Sequence, residues 1–370
     1  MHSDESATDH GLAALGFSSG QAGDPADPDT APGGSSPRAS APRRPAPPKR
    51  NLKSRMGTSD IAFRWFTRGG GLLVLALEAL VGSFLFFRAY QALHKAGWSF
   101  ITAQAWNPDG GSFGIAAVLI GTILIAVVAV IVAIPLAMGS ALYISEYAPR
   151  ALKRLLTSVI DLMAAVPSVV FGLWGAFLLQ WHIIDLSHWI NDWFYWIPAF
   201  HVAGVQRGST QPWANFYTSS TFDAGVVVAL MITPIACSIT REAFSQAPLG
   251  EREGAYALGA TRWGMIRSVV LPFGRGAMIG GMMLGLGRAL GETIAVALII
   301  SPVYAIQPHI LQQGTSSISS LIALKYQEET PFGVSALMAA GLALFLLTLV
   351  VNLIAAQIVA RSRSGAVSEV

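Results

Sequence analysis

Charge is in short supply in this chain. Asp, Glu, Lys and Arg together make up 12% of its 370 residues, against about a quarter in soluble domains. With 53% apolar residues and several apolar runs long enough to cross a bilayer, the shortage argues for an integral membrane protein. Cysteine is rarer still. The one copy, Cys237, excludes a disulfide framework within the chain, and its place in an apolar run marks it as a small packed residue. The histidines are scattered without metal-ligand spacing. A Gly-rich phosphate loop of the Walker type is missing, so the chain is not expected to hydrolyse ATP itself. A nucleophile–base pair is missing too, which leaves an intramembrane enzyme as the least supported class. Neither a cofactor nor a nucleic-acid partner is expected. No short apolar core follows the first residues, so they do not read as a signal peptide.

What is present falls into two parts. Residues 1–60 are rich in Pro, Ser, Gly and Ala and poor in large apolar side chains. Such a segment buries too little surface to offset its ordering entropy, so a disordered cytoplasmic tail is expected. Its basic end (Arg43, Arg44, Lys49, Arg50, Lys53, Arg55) reads either as a contact for anionic headgroups or as a solvated tail that enforces topology. Residues 61–365 read as an all-α, polytopic domain of six transmembrane helices, at about 69–92, 114–140, 155–180, 223–245, 272–301 and 333–360. Each run has about 20 residues or more, enough at about 1.5 Å per residue to cross roughly 30 Å of hydrocarbon. The longer ones permit tilt, and Pro135, Pro167 and Pro234 inside them are tolerated in membrane helices.

Orientation follows from the cations. Nineteen of the 24 Lys and Arg residues fall in the tail, the loops after spans two and four, and the C-terminus. The opposite side carries only Arg88, Lys95, Arg207 and Lys325. Both termini and the loop after span four are therefore expected on the cytoplasmic side. The segment 181–222 reads as a long outer loop. In it Leu186, Trp189, Ile190, Trp193, Phe194 and Ile197 share one helical face, which predicts an amphipathic helix at the outer interface or packed on the spans.

Two polar features stand out. The first is the loop 246–272, which contains Glu253-Gly254-Ala255-Tyr256-Ala257-Leu258-Gly259 and, nine residues later, Val269-Val270-Leu271-Pro272. Small residues let another backbone come close, and Gly259 can end one short helix and turn the chain into a second. Leu271-Pro272 then opens the fifth span. Force on such a helix–turn–helix would move spans four and five together.

The second is the pair Arg288 and Glu292 in span five, within Gly285-Leu286-Gly287-Arg288-Ala289-Leu290-Gly291-Glu292-Thr293. A charge at the bilayer centre costs roughly 2.5–3.5 kcal/mol on insertion scales. Four residues apart on a helix, the two share a face and can pair. They read either as a structural ion pair or as a substrate-pathway site, where the guanidinium fork suits a tetrahedral oxyanion. Glu292 would then accept a hydrogen bond from the O–H of hydrogen phosphate and repel sulfate, which has none. Asp161, six residues before Pro167, faces a wet cavity, another helix or a basic loop residue, and Glu78 in span one reads as snorkelling or in contact with a helix.

The loop resembles the EAA loop of bacterial ABC importer permeases, in which it docks on a separate ATPase subunit. Together with Ala164-Ala165-Val166-Pro167-Ser168-Val169-Val170-Phe171-Gly172 and the Arg288–Glu292 stretch, it makes residues of about 60–360 similar to the PstC-type permease family of bacterial phosphate importers. The departure from the usual loop pattern is Gly254, where Ala is common. The resemblance implies a type I importer (MetI-like) architecture. It implies ATPase coupling through Glu253, Gly254, Ala255, Gly259, Leu271 and Pro272, and a phosphate pathway at Arg288, Glu292 and Asp161. The implied partners are a PstA-like permease, a PstB-like ATPase dimer, a PstS-like extracytoplasmic phosphate-binding protein and membrane lipid. Two other readings stay open: an ABC permease for another oxyanion such as sulfate or molybdate, and an ion-coupled carrier using Arg288 and Glu292 as a proton relay.

Overall fold

The computed structural model describes residues 57–205 and 214–363. Arg207 and the tail up to residue 56 lie outside the described residues, so the expectation of disorder there does too. The chain divides into two units, 1–61 and 62–370, and the description below concerns the second.

Helix follows helix with little else between. α1 (Thr58–Ala96) and the short α2 (Ser99–Thr102) lead into a small antiparallel hairpin, β1 (Trp106–Asn107) with β2 (Ser112–Phe113), in which Trp106 faces Phe113. Then come α3 (Ala116–Leu142), α4 (Arg150–Ala165), α5 (Ser168–Trp174), α6 (Gln180–Phe194), α7 (Ala214–Tyr217) and α8 (Thr221–Ser245). The remainder is α9 (Leu249–Ala257), α10 (Arg262–Met265), α11 (Leu271–Gly291), α12 (Ile294–Ile299), α13 (Ile318–Lys325) and α14 (Pro331–Arg363). Among the described residues six helical stretches are long and apolar enough to cross a membrane: Thr58–Ala96, Ala116–Tyr147, Ser168–Phe194, Thr221–Ser245, Arg262–Gly291 and Pro331–Ala360.

Two of these differ from the sequence expectation. The third span covers 168–194 rather than 155–180. Val166 and Pro167 are extended, as residues at and before proline prefer to be, and they separate α4 from α5. α4 is amphipathic and buries none of its residues, so the charges Arg150, Lys153, Arg154 and Asp161 lie outside the crossing segment. The apolar face expected at an outer interface belongs instead to α6, the second half of span three, joined to α5 through a π-helical turn, Gly175–Leu179. Its Leu186, Trp189 and Trp193 are exposed, as a lipid-facing surface would be.

The fifth span covers 262–291 rather than 272–301. Pro272 does not open it. The helix begins at Arg262, capped by the Thr261 hydroxyl, which accepts from the Gly264 N–H at 3.1 Å. It runs through a π-helical turn, Ile266–Val270, in which the Leu271 N–H reaches back five residues to the Ile266 carbonyl. That wider turn absorbs the N–H that Pro272 lacks. At the far end Glu292 is extended (ψ 124°), and the chain breaks before restarting as α12.

The core is built on small residues. Ala129, Ala133, Ala137 and Ala141 recur every fourth position along α3, each 0% exposed. They face α8, where a side chain on Gly225 would run into Val128. Such stripes let helices approach closely where lipid supplies no hydrophobic drive. α11 packs against both α8 and α3. α5 meets α12 at Gly172, whose missing Cβ would lie 2.7 Å from the Ala295 Cα.

The end of the bundle away from α9 is closed by loops. Ile310 donates to the Ala199 carbonyl at 2.9 Å and Gln313 to the Phe216 carbonyl at 2.8 Å. Two reciprocal caps start helices there: Ser220 with Asp223 at α8, and Ser317 with Ser320 at α13.

Candidate functional site

The polar loop is an elbow, as its sequence suggests. α9 ends at Ala257, Leu258 follows, and Gly259 turns the chain at φ +83°. That conformation is open to glycine and strained for other residues. α10 then leaves at a new angle into span five. Glu253 and Gly254 are exposed, Ala255 is half-buried, and nothing crowds Gly254 or Gly259. Four large apolar side chains on the elbow, Leu249, Tyr256, Leu258 and Trp263, are uncovered, Leu258 to 91%.

One arginine fastens the elbow to the bundle. Arg252 Nη1 lies 3.0 Å from Glu146 Oε2, in the π-helical turn Tyr143–Tyr147 that ends span two. Its Nε donates to the Ala247 carbonyl at 3.2 Å and its Nη2 to the Phe244 carbonyl at the end of α8. Glu146 is only 7% exposed. Beside it Arg262 stacks 4.7 Å from the Tyr147 ring. α9 is therefore gripped by the ends of α3 and α8, and it cannot shift without moving both. Sequence reasoning missed the Glu146–Arg252 pair. Its only local trace was an acidic residue in the last turn of an apolar run.

Asp161 is placed near this end. Its Oδ1 accepts from the Ser238 hydroxyl at 3.1 Å, and one turn on, Arg241 donates to Thr157 at 2.9 Å. These contacts hold α4 on α8. Asp161 does not line the groove around Arg288. Glu78 is exposed on α1 beside a groove of about 610 Å³ between α1 and α14.

Arg288 lies near the end of α11, in a groove of about 530 Å³ formed by α8, α11 and α14. Ile235, Met283 and Leu284 supply apolar walls, while Thr348 and Asn352 add the other polar side chains. The position is deep along α8 and α14, near the middle of both helices.

Glu292 does not join Arg288. No ion pair links them among the described residues. The helix stops between the two, so the four-residue spacing does not deliver a shared face. Glu292 is 8% exposed; its Oε1 accepts from the Ala295 N–H at 3.4 Å, at the start of α12, and its carbonyl accepts from the Ser319 hydroxyl at 2.6 Å. It ties α11, α12 and α13 together at the break.

Residues 133–364 match the family described as binding-protein-dependent transport system inner membrane component. Among curated relatives, the phosphate transport system permease protein PstC of Mesorhizobium japonicum is 35% identical over 316 residues, covering 84% of this chain and 94% of its own. PstC of Pasteurella multocida is 36% identical, covering 79% and 89%. PstC 2 of Mycobacterium tuberculosis is 37% identical, covering 76% and 86%. Of solved structures, a bacterial alginate ABC transporter in complex with its periplasmic protein superposes with a TM-score of 0.50 at 16% identity, covering 80% of this chain and 94% of that one. That likeness concerns the fold.

Proposed function

Because the chain belongs to the family of binding-protein-dependent transport system inner membrane components, we propose that it is the permease subunit of an ATP-driven phosphate importer in the bacterial plasma membrane, forming half of the passage with a PstA-like partner. Both termini and the elbow face the cytoplasm in this reading, consistent with the placement of the cations. A PstB-like ATPase dimer docks on the elbow, where Leu258 and its apolar neighbours await a covering surface. A PstS-like protein delivers phosphate from the opposite side. Closure of the ATPases on ATP moves the elbow, and the Arg252 grip passes that motion to α3 and α8.

The observation that carries the substrate reading is Arg288, an exposed cation in an open groove lined by α8, α11 and α14 near the midpoints of α8 and α14. A guanidinium stays charged, offers a planar fork of donors, and suits a tetrahedral oxyanion. The relatives named PstC point to phosphate among the oxyanions. Glu292 acts next to this site as the brace of the α11–α12 break, and Asp161 as a contact near the cytoplasmic mouth.

The test is uptake by the assembled transporter in proteoliposomes loaded with ATP. Arg288→Leu is expected to abolish entry of labelled phosphate while the four-protein complex still assembles. Unimpaired entry would remove Arg288 from the pathway. Entry of sulfate or molybdate in preference to phosphate, in the unmodified complex, would shift the assignment to another oxyanion.

A further inference from the structure

A single arginine attracts any oxyanion and does not choose among them. Phosphate near neutral pH differs from sulfate in carrying a P–O–H donor. A site that recognises phosphate therefore needs an acceptor close to its cation. Glu292 is poorly placed for this: its carboxylate faces the start of α12 and does not line the Arg288 groove.

The groove has another polar wall. α14 is apolar for most of its length, yet near its middle it carries Thr348 and Asn352, four residues apart and on one face. Both line the groove with Arg288. Asn352 Oδ1 lies 3.5 Å from where a Cβ on Gly287 would stand, ordinary contact distance, which places the amide against α11 one residue before Arg288. The Thr348 hydroxyl spends its proton on the Phe345 carbonyl at 2.9 Å. The Asn352 amide has no hydrogen bond among the described residues and projects from an exposed position on the helix. A primary amide carries two N–H donors and a carbonyl acceptor on one planar group. Polar groups at this depth are expensive and usually face a pathway or a partner helix.

We infer that Asn352 is a second contact for the transported anion, a role that presupposes the anion contact assigned to Arg288. Its N–H donates to a phosphate oxygen and its Oδ1 accepts the P–O–H. Because the amide is neutral, it supplies the acceptor without repelling the anion and without forming an ion pair that would occupy Arg288. A carboxylate in the same place would do both.

The test is equilibrium binding of labelled inorganic phosphate to the detergent-purified transporter without its binding protein, so that only the membrane passage is read. Arsenate, which keeps an O–H, and sulfate serve as competitors. The unmodified complex is expected to lose phosphate to arsenate and to resist sulfate. Asn352→Leu removes both the N–H donor and the carbonyl acceptor, so it should weaken phosphate binding at least about tenfold and let sulfate compete. Asn352→Gln, which keeps donors and acceptor, should restore much of both. Asn352→Asp should abolish binding.

Unchanged affinity and unchanged sulfate exclusion in Asn352→Leu would overturn the inference. So would a loss of assembled complex with normal affinity in what remains, since that marks a helix-packing role. Arg288→Leu in parallel separates the two levels. If it leaves phosphate binding intact, the Arg288 reading fails; if it abolishes binding while Asn352→Leu does not weaken it, only the role of Asn352 fails. Absence of saturable phosphate binding in the unmodified complex would also overturn the assignment to Asn352.

Discussion

Arg252 and Glu146, 106 residues apart in sequence, meet at 3.0 Å where the elbow joins the end of span two. Both are largely buried, and the arginine also donates to the Phe244 carbonyl at the end of α8 and to the Ala247 carbonyl just beyond it. Removing one partner of a buried pair strands the other charge, at a cost of about 3–5 kcal/mol, whereas replacing both with apolar residues is often close to neutral. Arg252→Leu is therefore expected to lower the melting temperature of the purified complex sharply and to uncouple ATP hydrolysis from phosphate entry. The double variant Arg252→Leu/Glu146→Leu should recover most of the stability but not the coupling. Thermal melts alongside transport-to-hydrolysis ratios check this. A single variant as stable and as well coupled as the parent would contradict it.

Gly259 and Gly254 separate two roles of glycine in the same loop. At φ +83°, a Cβ on Gly259 costs about 1–2 kcal/mol and tilts α10 against α9. Gly259→Val should reduce ATP-driven uptake severalfold with the complex still formed. Gly254 is helical with open space around it, and Gly254→Ala should leave uptake unchanged and gain up to about 1 kcal/mol of helix stability. Parallel uptake assays on the two variants decide it; equal damage from both would refute the distinction.

Gly172 is a packing position with no slack. A methyl there would stand 2.7 Å from the Ala295 Cα, which is backbone and cannot swing aside. Gly172→Ala should separate α5 from α12 and destabilise the permease by about 1–3 kcal/mol. Melting of the detergent-solubilised protein reads the effect. An unchanged melting point would mean that the two helices are not held against each other.

Alkaline pH gives a further handle at the loop-covered end. Tyr217, on α7, is buried near Asp192, and burial first, then the carboxylate, push its phenol up to about 12. The unfolded phenol titrates near 10. The folded state thus holds its proton more tightly, and the associated stability is present below about pH 10 and lost as pH rises toward 12. Tyr217→Phe should flatten that decline in melting temperature between pH 10 and 12 without altering the profile near neutrality. A decline of the same depth in the variant would assign it elsewhere.

How much of this was legible beforehand varied with distance along the chain. The six-span architecture follows from apolar run lengths, and the elbow from local punctuation: Gly259, as a helix stop, acts on its own neighbours. The bounds of spans three and five were not legible. Pro167 and Pro272 look alike in sequence, yet one separates two helices and the other is absorbed by a π-helical turn. The Arg288–Glu292 pairing rested on unbroken helix, and the break at Glu292 removed it. Glu146–Arg252 was invisible because nothing local joins residues so far apart. Asn352 left a readable trace, an amide four residues from Thr348 in an apolar run, which a census of charges alone passes over.

In the proposed mechanism, motion supplied by ATPases acts through the elbow and drives phosphate past Arg288. The measurement that meets it most directly is labelled phosphate accumulation in proteoliposomes holding the paired permeases and binding protein, with and without the ATPase subunits and ATP. Accumulation against a gradient only when both ATPase and ATP are present is the predicted result. Accumulation driven by a proton gradient in their absence would contradict it and identify an ion-coupled carrier instead.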